Sequence, residues 1–187
     1  TMALCRMELE MTNSDQITKY RRTGLIIAFL IFILDQLSKF LVMKPLQLPA
    51  RGQIELLPFF NLTWAENYGV SMGFLTASTE FQRWALVALT GLIGVAVFVW
   101  MNREKAKWDI VALGMILGGA MGNIVDRARL GYVADFADLH IGDFRPFLIF
   151  NLADACISIG VVILLARALL IREKGPETKD DVQLDES

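Results

Sequence analysis

Two aspartates, Asp135 and Asp154, stand in apolar stretches with no lysine or arginine within one helical turn of either. Carboxylates without a local cation need some other partner, and each can serve the other if the chain between them folds back. Two carboxyls at close range cannot both ionise easily, so they share a proton and the pair holds one base and one acid. That is the chemistry of an aspartic peptidase: the base takes a proton from water as it attacks a peptide carbonyl, and the acid polarises that carbonyl and helps protonate the leaving amine. Paired acids also serve ion transport, so a small ion-coupled transporter with Asp35, Asp126 and Asp154 as relay sites is a second reading. A non-catalytic membrane scaffold is a third, but it gives no reason for acids to converge.

The elements that must position these acids are membrane helices. Of the 187 residues 55% are hydrophobic and 20% charged, and the mean hydropathy is +0.47, too apolar for an ordinary soluble domain. A net charge of −2 and a pI near 5.4 argue against a nucleic-acid partner. There is no zinc-type Cys/His cluster, so neither a metal nor another cofactor is expected; Cys5 and Cys156 lie in different environments and are not expected to pair. His140, the single histidine, reads as a surface residue in a polar loop.

A span needs ~20 mostly apolar residues, and four such runs occur, at about 25–43, 84–101, 108–125 and 147–171. Asp35 and Lys39 interrupt the first run where a cleavable signal sequence would be continuous, so it reads as a retained helix. Residues 1–22 form a leader and residues 172–187 a disordered tail. Lys19, Arg21 and Arg22, then Arg103, Lys105 and Lys107, then Arg172 and Lys174 mark the cytoplasmic flanks and place both termini inside. Arg127, Arg129 and Arg145 oppose that bias on the other side. The external segment 44–82 is too long for structureless loop, and Phe60, Leu62 and Trp64 alternate with Asn61 and Thr63 as in a half-buried strand. The expected architecture is a mainly α membrane protein, with four transmembrane helices and a small extracytoplasmic β-sheet on the outer face. Residues 23–171 form its one domain, and Gly69 gives flexibility to a lid over residues 61–71.

Direction then fixes depth. Asp35 and Lys39 fall in the outer half of an outgoing span, Asn123, Asp126 and Arg127 at the outer end of another, and Asn151 and Asp154 near the outer start of an incoming one. Asp135 lies in the connection between the last two. Spans of opposite direction thus deliver polar groups to one level, where an ionisable residue is a functional hypothesis by default. Each has a plainer reading: Asp35 with Lys39 as a structural ion pair, Asp126 beside Arg127 as interfacial charge, and Asn67 as a turn residue in Asn67-Tyr68-Gly69.

In order, Asp35-Gln-Leu-Ser-Lys39, Asn67-Tyr-Gly-Val-Ser-Met-Gly73, Gly122-Asn-Ile-Val-Asp-Arg127, Val133-Ala-Asp135 and Phe150-Asn-Leu-Ala-Asp154 resemble the motif blocks of bacterial lipoprotein signal peptidase, the signal peptidase II family. The resemblance covers all four spans. It implies a membrane aspartic endopeptidase that removes the signal peptide from diacylglyceryl-modified prolipoproteins, cutting just before the lipid-bearing cysteine. It implies Asp135 and Asp154 as the catalytic pair, with Asn67, Asn123, Asp126, Arg127 and Asn151 orienting the pair or binding substrate, and Asp35 and Lys39 as structural support. It also implies no metal, a site near the outer leaflet of the bacterial inner membrane, and a monomer whose partners are prolipoproteins and lipids. Met72, where an aromatic is commoner, and Ala155, where a hydroxyl residue is frequent, depart from the pattern without removing a catalytic group.

Overall fold

The computed structural model describes residues 2–69, 80–142 and 144–172. Along the chain run α1 (Met2–Met43), the single turn α2 (Leu48–Arg51), the hairpin β1 (Gln53–Leu57) and β2 (Phe60–Asn67), then α3 (Glu80–Arg103), α4 (Lys107–Leu130), β3 (Val133–Leu139) and α5 (Leu152–Arg172). The helices α1, α3, α4 and α5 each contain a stretch long and apolar enough to cross a membrane. The first three expected spans lie inside α1, α3 and α4. The expected tail lies outside the described residues.

The centre of the bundle is α4, where 50% of the apolar stretch is buried, against 22% for α1 and 11% for α3 and α5. Between helices in lipid there is little hydrophobic gain, so close backbone approach must supply the attraction. Small residues allow it. A Cβ on Gly114 or Gly118 would run into the backbone of Gly24 or Ala28 on α1, and one on Gly119 into the backbone of Ala153 on α5. Because these obstacles are backbone and cannot swing aside, Gly118→Val must push α1 away from α4. Such overpacking costs ~1–3 kcal/mol. A thermal melt in detergent should show a lowered midpoint for Gly118→Val, and an unchanged midpoint would refute this packing.

At its C-terminal end α4 stops at Gly131, whose positive φ of 89° turns the chain while its N–H bonds back to the Arg127 carbonyl. The Arg83 guanidinium of α3 adds a second bond to the Arg127 carbonyl at 2.8 Å and satisfies that of Ala128 at 2.5 Å.

The small sheet has the order β1-β2-β3, all antiparallel. Phe60, Leu62 and Trp64 pack on Val42, Leu48, Phe136 and Ala137, as the alternation in the sequence requires. Its third strand comes from the link between α4 and α5, outside the segment expected to build the sheet. Because β2 is the central strand, bonded on both sides, residues 61–67 are fixed in the sheet instead of forming a lid; residues 70–71 lie outside the described set.

A second correction concerns the fourth span, whose helix begins at Leu152 and not at Phe147. Residues before it are held extended: Phe150 exchanges backbone bonds with Ala137 at 2.7 and 3.1 Å. Asn151 then caps the helix, its Oδ1 accepting from the Asp154 N–H at 2.9 Å while Asp154 Oδ2 accepts from the Asn151 N–H at 3.4 Å. This reciprocal pair is a capping box with Asn at the cap and Asp three residues on.

Candidate active site

The capping box decides where Asp154 points. Locked at the third position of the first turn, its carboxylate faces the C-terminal half of α4, and its Oδ1 accepts from Asn123 Nδ2 at 2.8 Å. Asp135 arrives from the other direction on β3, opposite Ala65 in the register, with Asn67 of β2 opposite Val133. That register lets Asn67 Nδ2 donate to Asp135 Oδ2 at 3.1 Å. The remaining Asp135 oxygen accepts from Asn151 Nδ2 at 2.6 Å, and the same amide reaches Asn123 Oδ1 at 3.1 Å. The two acids are therefore joined through two asparagines.

Asp135 is 2% exposed. Burial, reinforced by the nearby charge of Asp154, pushes its pKa up to about 6, more than the amides of Asn67 and Asn151 pull it down. One carboxyl of a close pair is thereby kept protonated well above the ordinary carboxylate range.

Behind the pair lies a buried ionic cluster. Lys39 Nζ is 2.8 Å from Asp35 Oδ2 and 2.6 Å from Asp126 Oδ2, and 3.3 Å from Asn123 Oδ1. Each carboxylate also grips a backbone N–H: Asp35 Oδ1 that of Ala153 at 3.0 Å, and Asp126 Oδ2 that of Ala134 at 3.3 Å. Ala153 and Ala134 immediately precede Asp154 and Asp135. Thus one ammonium, through two carboxylates, fixes the backbone at both acids, and through Asn123 it turns the amide that faces Asp154. A cation can lie only against the amide oxygen, so Lys39 sets which way Asn123 is flipped.

The expected supports therefore divide. Asn67, Asn123 and Asn151 touch the two acids directly. Asp126 pairs with Lys39 instead of Arg127 and orients β3 through its backbone. Arg127 is half-buried within the fields of Asp154, Asp135 and Asp126, and its Nε has no partner among the described residues. Met72 and the segment after Gly69 lie outside the described residues.

Sequence reading missed four contributors. Gln36 donates to Asp126 at 3.0 Å and to the Gly122 carbonyl at 3.3 Å, sealing the cluster from α1; it lies one residue from Asp35, inside a motif already noticed. Asp138, buried on β3, accepts from Arg145 Nε at 3.0 Å and Thr63 at 2.9 Å. Burial opposes its charge, but these donors prevail and hold its pKa below the usual value. Arg83 has no signal in the sequence beyond a charge at a span end. His140, expected at the surface, is half-buried at the end of β3, its N–H bonded to the Phe59 carbonyl and its Nε2 without a partner among the described residues.

Two cavities open beside the acids. One of about 710 Å³ is lined by a mixture of polar and apolar residues that includes Asn67, Tyr68, Asp135, Arg145, Phe147 and Leu148, and a more apolar one of about 290 Å³ by Phe147, Leu148, Asp154, Ser158 and Ile159. Phe147 and Leu148 line both, so a chain laid across them would pass Asp135 in the larger cavity and Asp154 in the smaller. The described residues hold no cluster of histidine, cysteine or carboxylates that could bind a metal ion.

A family model described as signal peptidase (SPase) II matches residues 27–170. The lipoprotein signal peptidase of Sphingopyxis alaskensis is 63% identical over 155 residues, which cover 83% of this chain and 90% of that protein. That of Rhizorhabdus wittichii is 58% identical over 160 residues, covering 86% and 93%. Among solved structures, a bacterial membrane enzyme superposes with a TM-score of 0.70 at 29% identity, covering 84% of this chain and 93% of the other.

Proposed function

Because the chain belongs to the signal peptidase II family of aspartic peptidases, we propose that Asp135 and Asp154 are its catalytic pair and that it releases the signal peptide from diacylglyceryl prolipoproteins by cutting just before the lipid-bearing cysteine. The observation that carries the assignment is the pairing itself: two carboxyls from different elements, bridged by Asn123 and Asn151, each lining one of two cavities that share Phe147 and Leu148.

Asp135, raised to about 6, holds the shared proton, and Asp154 is the base. Water gives a proton to Asp154 as its oxygen bonds to the scissile carbonyl carbon, while Asp135 donates its proton to the carbonyl oxygen. Collapse of the resulting diol breaks the C–N bond: Asp154 returns its proton to the leaving nitrogen, and Asp135 takes one back from a hydroxyl. The products are a signal peptide ending in a new carboxyl and a chain beginning with a free amine on the lipid-bearing residue. Asn67, Asn123 and Asn151 keep the two carboxyls aimed, and Arg127 adds positive field where charge develops on the diol oxygens.

The sign of the pH dependence follows. Catalysis needs one proton on the pair, and in the free enzyme that proton leaves with a pKa of about 6. The expected kcat/KM falls as pH rises through that value. A profile flat from pH 5 to 8 would contradict the assignment.

The protein is a bacterial membrane protein, and the proposed location is the inner membrane, with both termini cytoplasmic and the site near the outer leaflet. The convergence of the polar groups at one end of the bundle supports this, as do the basic flanks at the other. It acts as a monomer in contact with lipid. Purified protein should cleave a diacylated lipoprotein precursor in detergent with no ion gradient present. Cleavage that required a gradient, or none at all by folded protein, would sink this reading.

A further inference from the structure

The link between β3 and α5 carries a set of apolar side chains that the bundle does not cover. Ile141 is 73% exposed, Phe144 66%, Phe147 63% and Leu148 89%. They are not scattered. Ile141 and Phe144 close a tight turn through reciprocal backbone bonds at 2.8 and 3.2 Å, and the His140 N–H ties this turn to Phe59 in the β1–β2 connection, where Leu56, Leu57 and Phe59 are also about half exposed. At its other end Leu148 shares a cavity with Ile159, well past the start of α5 at Leu152. Below that point the outward stripe of α5 continues with Val162, Leu165 and Leu169, all exposed.

From this continuity we propose that Ile141 and the segment 144–148 form an interfacial anchor that dips into the outer leaflet, so that one end of the sheet is embedded in lipid instead of resting above it. Seven large apolar side chains left to water would form a patch of the kind that marks an interaction surface. The occupant is bilayer because the patch runs without a break into a helix face that is itself lipid-covered. Arg145, which lies between Phe144 and Phe147 and is held by buried Asp138 through Nε, has its charged end at the level where headgroups begin. Phe147 and Leu148 of this segment line both cavities beside the acids, and the anchor sets their depth. The inference rests on the spans and the exposed patch and is independent of which residues are catalytic.

Site-directed nitroxide labelling tests it. In a Cys5→Ser, Cys156→Ala background, Leu148→Cys and Phe144→Cys are labelled in phosphatidylethanolamine/phosphatidylglycerol vesicles, with Ile93→Cys on the lipid face of α3 and Gln53→Cys on β1 as references. Both loop positions should relax more with dissolved oxygen than with a water-soluble nickel chelate, as position 93 does and position 53 does not. Relaxation like that at position 53 would overturn the proposal. So would dipolar broadening that vanishes on dilution with unlabelled protein, which would make the occupant a second copy. A lipid-like response seen only after a diacylated precursor peptide is added would likewise overturn it, since the substrate would then be the cover.

Discussion

Asp135→Asn is expected to lower kcat by roughly 10³-fold or more while making the folded protein more stable above pH 6. The loss follows from removing the proton donor of an acid–base pair, an effect of ~10² to 10⁴ for a single such group and larger when the pair acts as a unit. The gain follows from burial. With a folded pKa of about 6 and an ordinary value of 3.8, the native state binds the proton more tightly than the unfolded chain does. Stability contributed by the protonated form is complete below pH 4 and is lost as pH rises through 6. At ~1.4 kcal/mol per unit this is a penalty of about 3 kcal/mol at neutral pH. Asparagine cannot ionise and escapes the penalty, though its NH₂ must face one of the donors on Asn67 or Asn151, which costs ~1 kcal/mol. Thermal melts in detergent at pH 5 and pH 8 should therefore diverge, with the variant ahead only at pH 8. A variant less stable than the parent at both pH values would contradict a neutral, buried Asp135.

The largest loss of stability should come from Lys39→Met. Methionine fills most of the space of the lysine stem but leaves Asp35 and Asp126 buried with no cation, each under 4% exposed. Breaking a buried ion pair by removing one partner costs ~3–5 kcal/mol, because the abandoned charge must be kept out of water or protonated. Here two charges are abandoned, and the backbone grips on Ala153 and Ala134 weaken with them. Asp35→Asn, which leaves Lys39 still paired with Asp126, should lower the midpoint less and retain turnover. A normal midpoint with lost turnover in Asp35→Asn would move that residue from support to catalysis. The triple variant Asp35→Asn, Lys39→Met, Asp126→Asn should recover much of the stability lost in Lys39→Met alone, since no buried charge remains.

Much of this was legible in the residues. The four apolar runs, the alternation at Phe60, Leu62 and Trp64, and the level at which acids and amides gather all follow from periods and lengths that the chain carries locally. Pairing across elements was not. Asp126 sits beside Arg127 in sequence, and only the crossing of α4 against α1, set by glycine contacts, gives it to Lys39. The start of α5 shows a signal passed over: Phe147 to Phe150 is as apolar as the helix that follows, so hydropathy ran the span too far. Asn151 and Asp154, spaced as a capping box, mark the start at Leu152 more sharply than hydropathy does. Tyr132 to Phe136 could be read as extended, but not as part of the sheet, because Val133 to Leu139 is buried along nearly its whole length and shows no alternation to give it a face.

The plainest test of the dyad is single-turnover cleavage of a diacylated precursor by the parent protein, Asp135→Asn, Asp154→Asn and the double variant, with each shown to be folded and to bind the precursor. If the two carboxyls share one proton and act together, each single change should remove about as much rate as the double. Full or near-full cleavage by either single variant, or losses that simply multiply in the double, would contradict the account.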